Sequence, residues 1–244
     1  MRAFDVFLYA LVTALATGLG AIPFLFVRQM PRRWLGLSNA LAAGLMSGAS
    51  IGLLREGFAY DAVRLGVGAL VGVAFIVGSQ RLLAVRPGLE FHKLRGADAL
   101  KALMIVGVMT IHSVSEGVGV GVAFGGGEAL GLFITIAIAV HNIPEGLAIS
   151  LVLVPRGESV PRAAAWSVFS SLPQPLLAVP AFLFVEVFAT FLPVGLGFAA
   201  GAMLWMAFSE LLPEAFEDVR PAVVATIFVI SIAAMLAFQA LIRG

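Results

Sequence analysis

Two of the three histidines in this chain stand in one repeated spelling. His112-Ser-Val-Ser-Glu116-Gly117 and His141-Asn-Ile-Pro-Glu145-Gly146 both read His-x-x-x-Glu-Gly, each inside a long apolar run. Residues four apart share one face of a helix, so each run projects an imidazole and a carboxylate in one direction. Both groups are good ligands for borderline divalent ions such as Zn²⁺, Fe²⁺, Mn²⁺ or Co²⁺. Ionisable groups inside a membrane helix are expensive and mark ion or proton paths. Two such helices side by side offer two imidazoles and two carboxylates, enough to enclose a divalent metal. The bland alternative is buried polar glue between helices. It has to account for the same spacing twice in a chain with only three histidines.

Other polar residues fall into supporting places. Pro144 removes a backbone donor and frees a carbonyl on the preceding turn, and in lipid such turns persist where they line a cavity. Gly117 and Gly146 allow close helix approach, while Ser113 and Asn142 offer weak oxygen ligands or hold the ligands in place. Gln174 sits in Ser171-Leu-Pro-Gln-Pro175, where two prolines predict a kink, and has a structural or a pathway role. Glu210 and Glu214, in Ser209-Glu-Leu-Leu-Pro-Glu-Ala215, again share a face. Glu210 reads as an exit or release residue, and Glu214 as a solvated helix end beside Glu217 and Asp218. Met46, with Ser47 and Ser50, is a candidate for an entrance lining, although methionine more often fills gaps in packing. His92 lies in a loop, as solvated surface or as an aid to metal release.

The elements that must position these residues are membrane helices. The chain has 244 residues, 61% hydrophobic and 12% charged, with a mean hydropathy of +1.05; soluble domains carry about 25% charged residues. The expected fold is an all-α polytopic integral membrane protein forming one domain over 1–244. Net charge of +1 gives no sign of a nucleic-acid partner, and the absence of cysteine excludes disulfides, thiolate metal sites and iron–sulfur clusters. A span needs about 20 mostly apolar residues. That criterion predicts eight, near 4–26, 35–54, 63–84, 99–124, 129–153, 163–190, 194–213 and 221–242. Ala14-Leu-Ala16 resembles a leader-cleavage site, but the apolar run continues through Phe26, which favours a first span over a processed leader. Only Gly125-Gly-Gly-Glu128 separates spans four and five, which makes them neighbours in space.

Orientation follows from the basic residues. Of the 15 Lys and Arg, only Arg2, Arg55, Arg64 and Arg243 fall on the side of the termini. The other side holds Arg28, Arg32, Arg33, Arg81, Arg86, Lys93, Arg95, Lys101, Arg156, Arg162 and Arg220. The termini are therefore expected outside and the 85–98 loop in the cytoplasm, with a bacterial inner membrane as the setting.

The motifs resemble those of the ZIP (Zrt/Irt-like) divalent-metal transporter family, in its prokaryotic form. The resemblance rests on His-x-x-x-Glu-Gly in helix four, His-Asn-x-Pro-Glu-Gly in helix five, Pro-Gln-Pro in helix six and Ser-Glu-Leu-Leu-Pro-Glu in helix seven. It implies eight helices in a 3+2+3 arrangement, with the first and last three pseudo-symmetric about helices four and five. It also implies uptake of zinc or a similar ion toward the cytoplasm. His112, Glu116 and Glu145 match the positions of the family's main site, and His141 and Asn142 match neighbouring ones. Ser113, Gln174 and Asn142 depart from a two-metal pattern that would have asparagine, glutamate and aspartate there, so one transported metal is expected rather than two. Ser115 stands where proline is frequent, which predicts a straighter helix four.

On this reading the divalent metal (Zn²⁺ first, with Cd²⁺, Fe²⁺, Mn²⁺ and Co²⁺ open) is cargo and no cofactor is expected. The bilayer is the other partner, and a homodimer is left open. Transport requires one helix group to move against the other. Protonation of His112 or the glutamates would assist release, making uptake pH-dependent between about 5 and 8. The rival readings are weaker. A zinc protease would need His-Glu-x-x-His, a membrane di-iron oxidase needs more histidines, and a metal sensor needs a signalling domain. A proton-coupled carrier of an organic solute uses the same carboxylates as relays and is the main alternative.

Overall fold

The computed structural model describes residues 2–27, 30–84 and 96–243. His92 lies outside the described residues, as do Arg28, Arg86, Lys93 and Arg95 of the orientation count. Among the described residues there are ten α-helices and no strands: α1 (Ala3–Leu19), α2 (Arg33–Tyr60), α3 (Ala62–Ala84), α4 (Gly96–Gly125), α5 (Glu128–Leu153), α6 (Val160–Ser171), α7 (Pro173–Val187), α8 (Leu192–Met206), α9 (Leu212–Asp218) and α10 (Pro221–Arg243). They assemble eight segments long and apolar enough to cross a membrane, beginning with Ala3–Leu25 and ending with Pro221–Ile242. The chain is an all-α integral membrane protein. In lipid every backbone group must be satisfied internally, which leaves helices and closed barrels, and continuous apolar runs of about 20 residues take the helical form.

Three details separate these segments from the spans expected from sequence. Span two continues past 54 to Tyr60, carrying Arg55 beyond the apolar stretch. Span six breaks into α6 and α7 at Leu172, as Pro173 and Pro175 predict. Span seven reaches Asp218 and contains a π-helical turn, Ala207–Leu211, between α8 and α9. Pro213 explains the turn: it has no N–H for Ser209, and its ring clashes with that carbonyl in a regular helix. One extra residue in the turn relieves both, and such turns frequently occur at functional sites. α4, with Ser115 in place of proline, runs unbroken.

α4 and α5 are antiparallel, joined by a turn in which Gly127 takes φ 135°, a conformation open to glycine and strained for other residues. The two helices pack against each other. α4 also lies against α7 and α8, and α5 against α1 and α2. α3 and α10 are the most outward-facing spans, with 22% and 17% of their apolar windows buried against 61% for α5. The motif side chains are thus covered by four other helices, the setting that ionisable side chains require.

Candidate metal centre

Each motif ends in a glycine at a helix crossing. A Cβ on Gly146 would lie 1.7 Å from Thr17 O, and one on Gly117 would lie 2.7 Å from Gln174 O. The missing side chains bring the backbones of α1 and α7 against α5 and α4 at the level of the glutamates. Each crossing carries polar groups with it. Thr13 and Thr17 come from α1, and Ser171 and Gln174 from the α6–α7 break. Thr17 Oγ1 and Ser171 Oγ lie 2.7 Å apart.

Glu116, His141 and Glu145 form the centre. Each offers one ligand atom, and these atoms lie within 4.8 Å of one another. His141 Nε2 is 2.9 Å from Glu116 Oε1, across the α4–α5 interface, and 4.0 Å from Glu145 Oε1 in its own motif. All three side chains are buried, Glu145 at 3% exposed and the other two at 0%. Two carboxylates and an imidazole converging between two buried helix faces can hold a small divalent cation, which would offset the repulsion between the two acids.

His112 goes elsewhere. Its Nε2 lies 3.1 Å from Glu210 Oε2 on the π-helical turn, within ion-pair distance but off the hydrogen-bond line. The other oxygen of Glu210 accepts from Gln80 Nε2 of α3. Glu210 also lines a cavity of about 410 Å³ with Gln80, Met104, Met109 and Glu214. A second cavity of about 610 Å³ shares Glu214 with the first and adds Arg32, Arg156, Glu217 and Asp218. Glu214 is exposed, as a solvated helix end would be, and also accepts from Asn39 Nδ2 at 2.9 Å. Arg32 pairs with Asp218 at 3.2 Å at the same mouth.

The remaining candidates divide. Gln174 is fully buried and donates from Nε2 to Glu116 Oε2 at 2.6 Å. Asn142 donates to Thr13 O at 2.8 Å and to Gln174 Oε1 at 3.2 Å, leaving Asn142 Oδ1 without a partner. Ser113 Oγ and His141 Nδ1 are likewise buried and unpartnered, so the two motifs hold several polar atoms that protein groups do not satisfy. Met46 is fully buried in the main apolar core on α2, a helix that packs against α5. Thr13 and Gln80 had no signal in the sequence: a lone threonine or glutamine in an apolar helix has no spacing to mark it.

Residues 89–238, more than half of the chain, match the family described as ZIP Zinc transporter. The chain is similar to a candidate zinc transporter of Arabidopsis thaliana, 48% identical over 240 residues. That match covers 97% of this chain and 39% of the plant protein, so this chain spans well under half of that relative's length. It is also similar to the zinc transporter GufA of Myxococcus xanthus, 34% identical over 218 residues, covering 84% of this chain and 86% of that one. The zinc transporter ZIPB of Bordetella bronchiseptica is 30% identical over 216 residues, covering 83% and 70%. These relatives are named as transporters, not enzymes. With the matched region containing α4 and α5 and one relative covered over 86% of its length, this chain belongs to the ZIP zinc transporter family.

Proposed function

We propose that the protein moves a divalent cation, zinc first among the candidates, across the bilayer toward the cytoplasm, one ion at a time. The buried Glu116–His141–Glu145 triad carries this reading. An oxygen–nitrogen ligand set without thiolate binds zinc strongly enough to strip its water yet still releases it. His112 and Glu210 form the next station, about one helical turn, or ~6 Å, along α4 from Glu116. From there the acidic cavities lead past Glu214 to Glu217 and Asp218. That mouth lies at the start of α4 and the end of α5, the end that the basic majority assigns to the cytoplasm. The Gln174 amide supports a single ion, because an N–H donor on Glu116 Oε2 occupies the oxygen that a second cation would need.

Reconstituted vesicles test the reading. Wild-type protein should give saturable Zn²⁺ or Cd²⁺ influx that organic solutes do not inhibit and that Glu145→Ala abolishes without loss of folding. Flux indifferent to Glu145→Ala, or absent from folded wild type, would return the triad to polar glue and favour the solute-carrier alternative.

A further inference from the structure

Resting on that transport reading, we infer that Thr13 of α1 is a positioning residue that orients Glu116 through the Gln174 amide. Thr13 O is a main-chain carbonyl and can only accept, so it fixes which end of the Asn142 amide faces it: Nδ2, at 2.8 Å. The same Nδ2 is 3.2 Å from Gln174, and that neighbour must then be the oxygen, Oε1. Thr13 Oγ1 also donates to Oε1, at 2.5 Å. With Oε1 held by two donors, Nε2 is forced toward Glu116 Oε2, 2.6 Å away. His141 Nε2 takes the other oxygen of Glu116 at 2.9 Å. Both oxygens of Glu116 therefore have protein partners, and the hydroxyl of Thr13, outside the motifs, is one of the two groups on Oε1 that keep the Gln174 amide turned toward Glu116. Thr13 is fully buried, and its hydroxyl also lies 2.6 Å from Ala10 O, so it has one hydrogen to place between two acceptors. Preorganised ligands of this kind depend on their outer partners for affinity.

The test measures initial rates of Zn²⁺ influx into vesicles against Zn²⁺ concentration. Thr13→Val deletes the hydroxyl at nearly constant volume. It should raise KM about two- to tenfold, the range set by one buried hydrogen bond, with the maximal rate within about twofold of wild type. Thr13→Ser, which keeps the hydroxyl, should restore the wild-type KM, and Thr13→Ala should repeat the valine result. In a Gln174→Ala background Thr13→Val should add nothing, because its effect passes through that amide. An unchanged KM, a fall confined to the maximal rate, or full additivity with Gln174→Ala would each overturn the inference. The transport reading fails separately: wild type without saturable flux defeats it. Flux abolished by Glu145→Ala but untouched at Thr13 defeats only the positioning role.

Discussion

The two copies of His-x-x-x-Glu-Gly are spelled alike and end up in different chemistry. On antiparallel neighbours the histidine of each copy lies at the depth of the other's glutamate, so a symmetrical pair of crossed contacts would be the simplest outcome. One forms: His141 meets Glu116 at 2.9 Å. The other does not, because His112 faces Glu210 on the π-helical turn at 3.1 Å. The result is a closed, fully buried triad beside an open station on the wall of a cavity. The transport reading proposed above calls for that inequality. Two equal sites would hold an ion equally well, whereas a tight site next to a looser one whose glutamate lines a cavity gives the ion somewhere to go.

The comparison breaks first at the triad. Glu116→Ala or Glu145→Ala should abolish measurable Zn²⁺ influx, a loss of a hundredfold or more by analogy with removal of a buried metal-site group. Zn²⁺ binding to the purified protein, followed by titration calorimetry, should disappear with it. Retained binding in Glu145→Ala would move the main site away from the triad.

The glycines sharpen the difference between the copies. Gly146→Ala drives a methyl to within 1.7 Å of Thr17 O, and Gly117→Ala drives one to within 2.7 Å of Gln174 O. Both obstacles are backbone, which no rotamer change can relieve. Overpacking should destabilise Gly146→Ala by about 3 kcal/mol and Gly117→Ala by about 1 kcal/mol. Thermal unfolding in detergent would show this order, and equal shifts would contradict the tighter α1–α5 crossing.

Next come His112→Ala and Glu210→Gln. If these residues serve the second station, each should lower the maximal rate about tenfold while leaving equilibrium Zn²⁺ affinity within about threefold, the pattern of a change that spares ground-state binding. An affinity loss matching that of Glu145→Ala would merge the two regions into one site.

Much of this is legible in the sequence. The eight spans followed from hydropathy, the neighbouring of α4 and α5 from the glycine turn, the span-six break from Pro173 and Pro175, and the ligand types from the motifs. What spacing could not reveal was partner choice. The i, i+4 rule predicts His141 beside its own Glu145, yet the shorter contact runs to Glu116 on the other helix, because a tertiary approach decides between near-equal local options. Thr13 and Gln80 were invisible for the same reason. Their roles come from where α1 and α3 cross their neighbours, and single polar residues in apolar helices carry no periodicity to report it. The π-helical turn was half-visible: Pro213 signals a disturbance, but its form depends on how α8 and α9 pack.

That turn gives the smallest expected effect and the finest test of the contrast. A π turn rotates the residues before it relative to those after it, which is how Glu210 comes to face His112 from one side and Gln80 from the other. Pro213→Ala returns an N–H to position 213, so the regular helical bond from 213 to Ser209 O becomes possible and the segment can tighten toward a regular helix. Glu210 would then swing away from His112. The expected result is a fall of about threefold in maximal rate with unchanged affinity, smaller than for Glu210→Gln because the carboxylate stays nearby and part of the population keeps the wide turn. Glu116, His141 and Glu145 lie on other helices, so nothing in this change touches the triad. A shift in Zn²⁺ affinity from Pro213→Ala would therefore show that the two stations are coupled and that the looser one helps to shape the tighter.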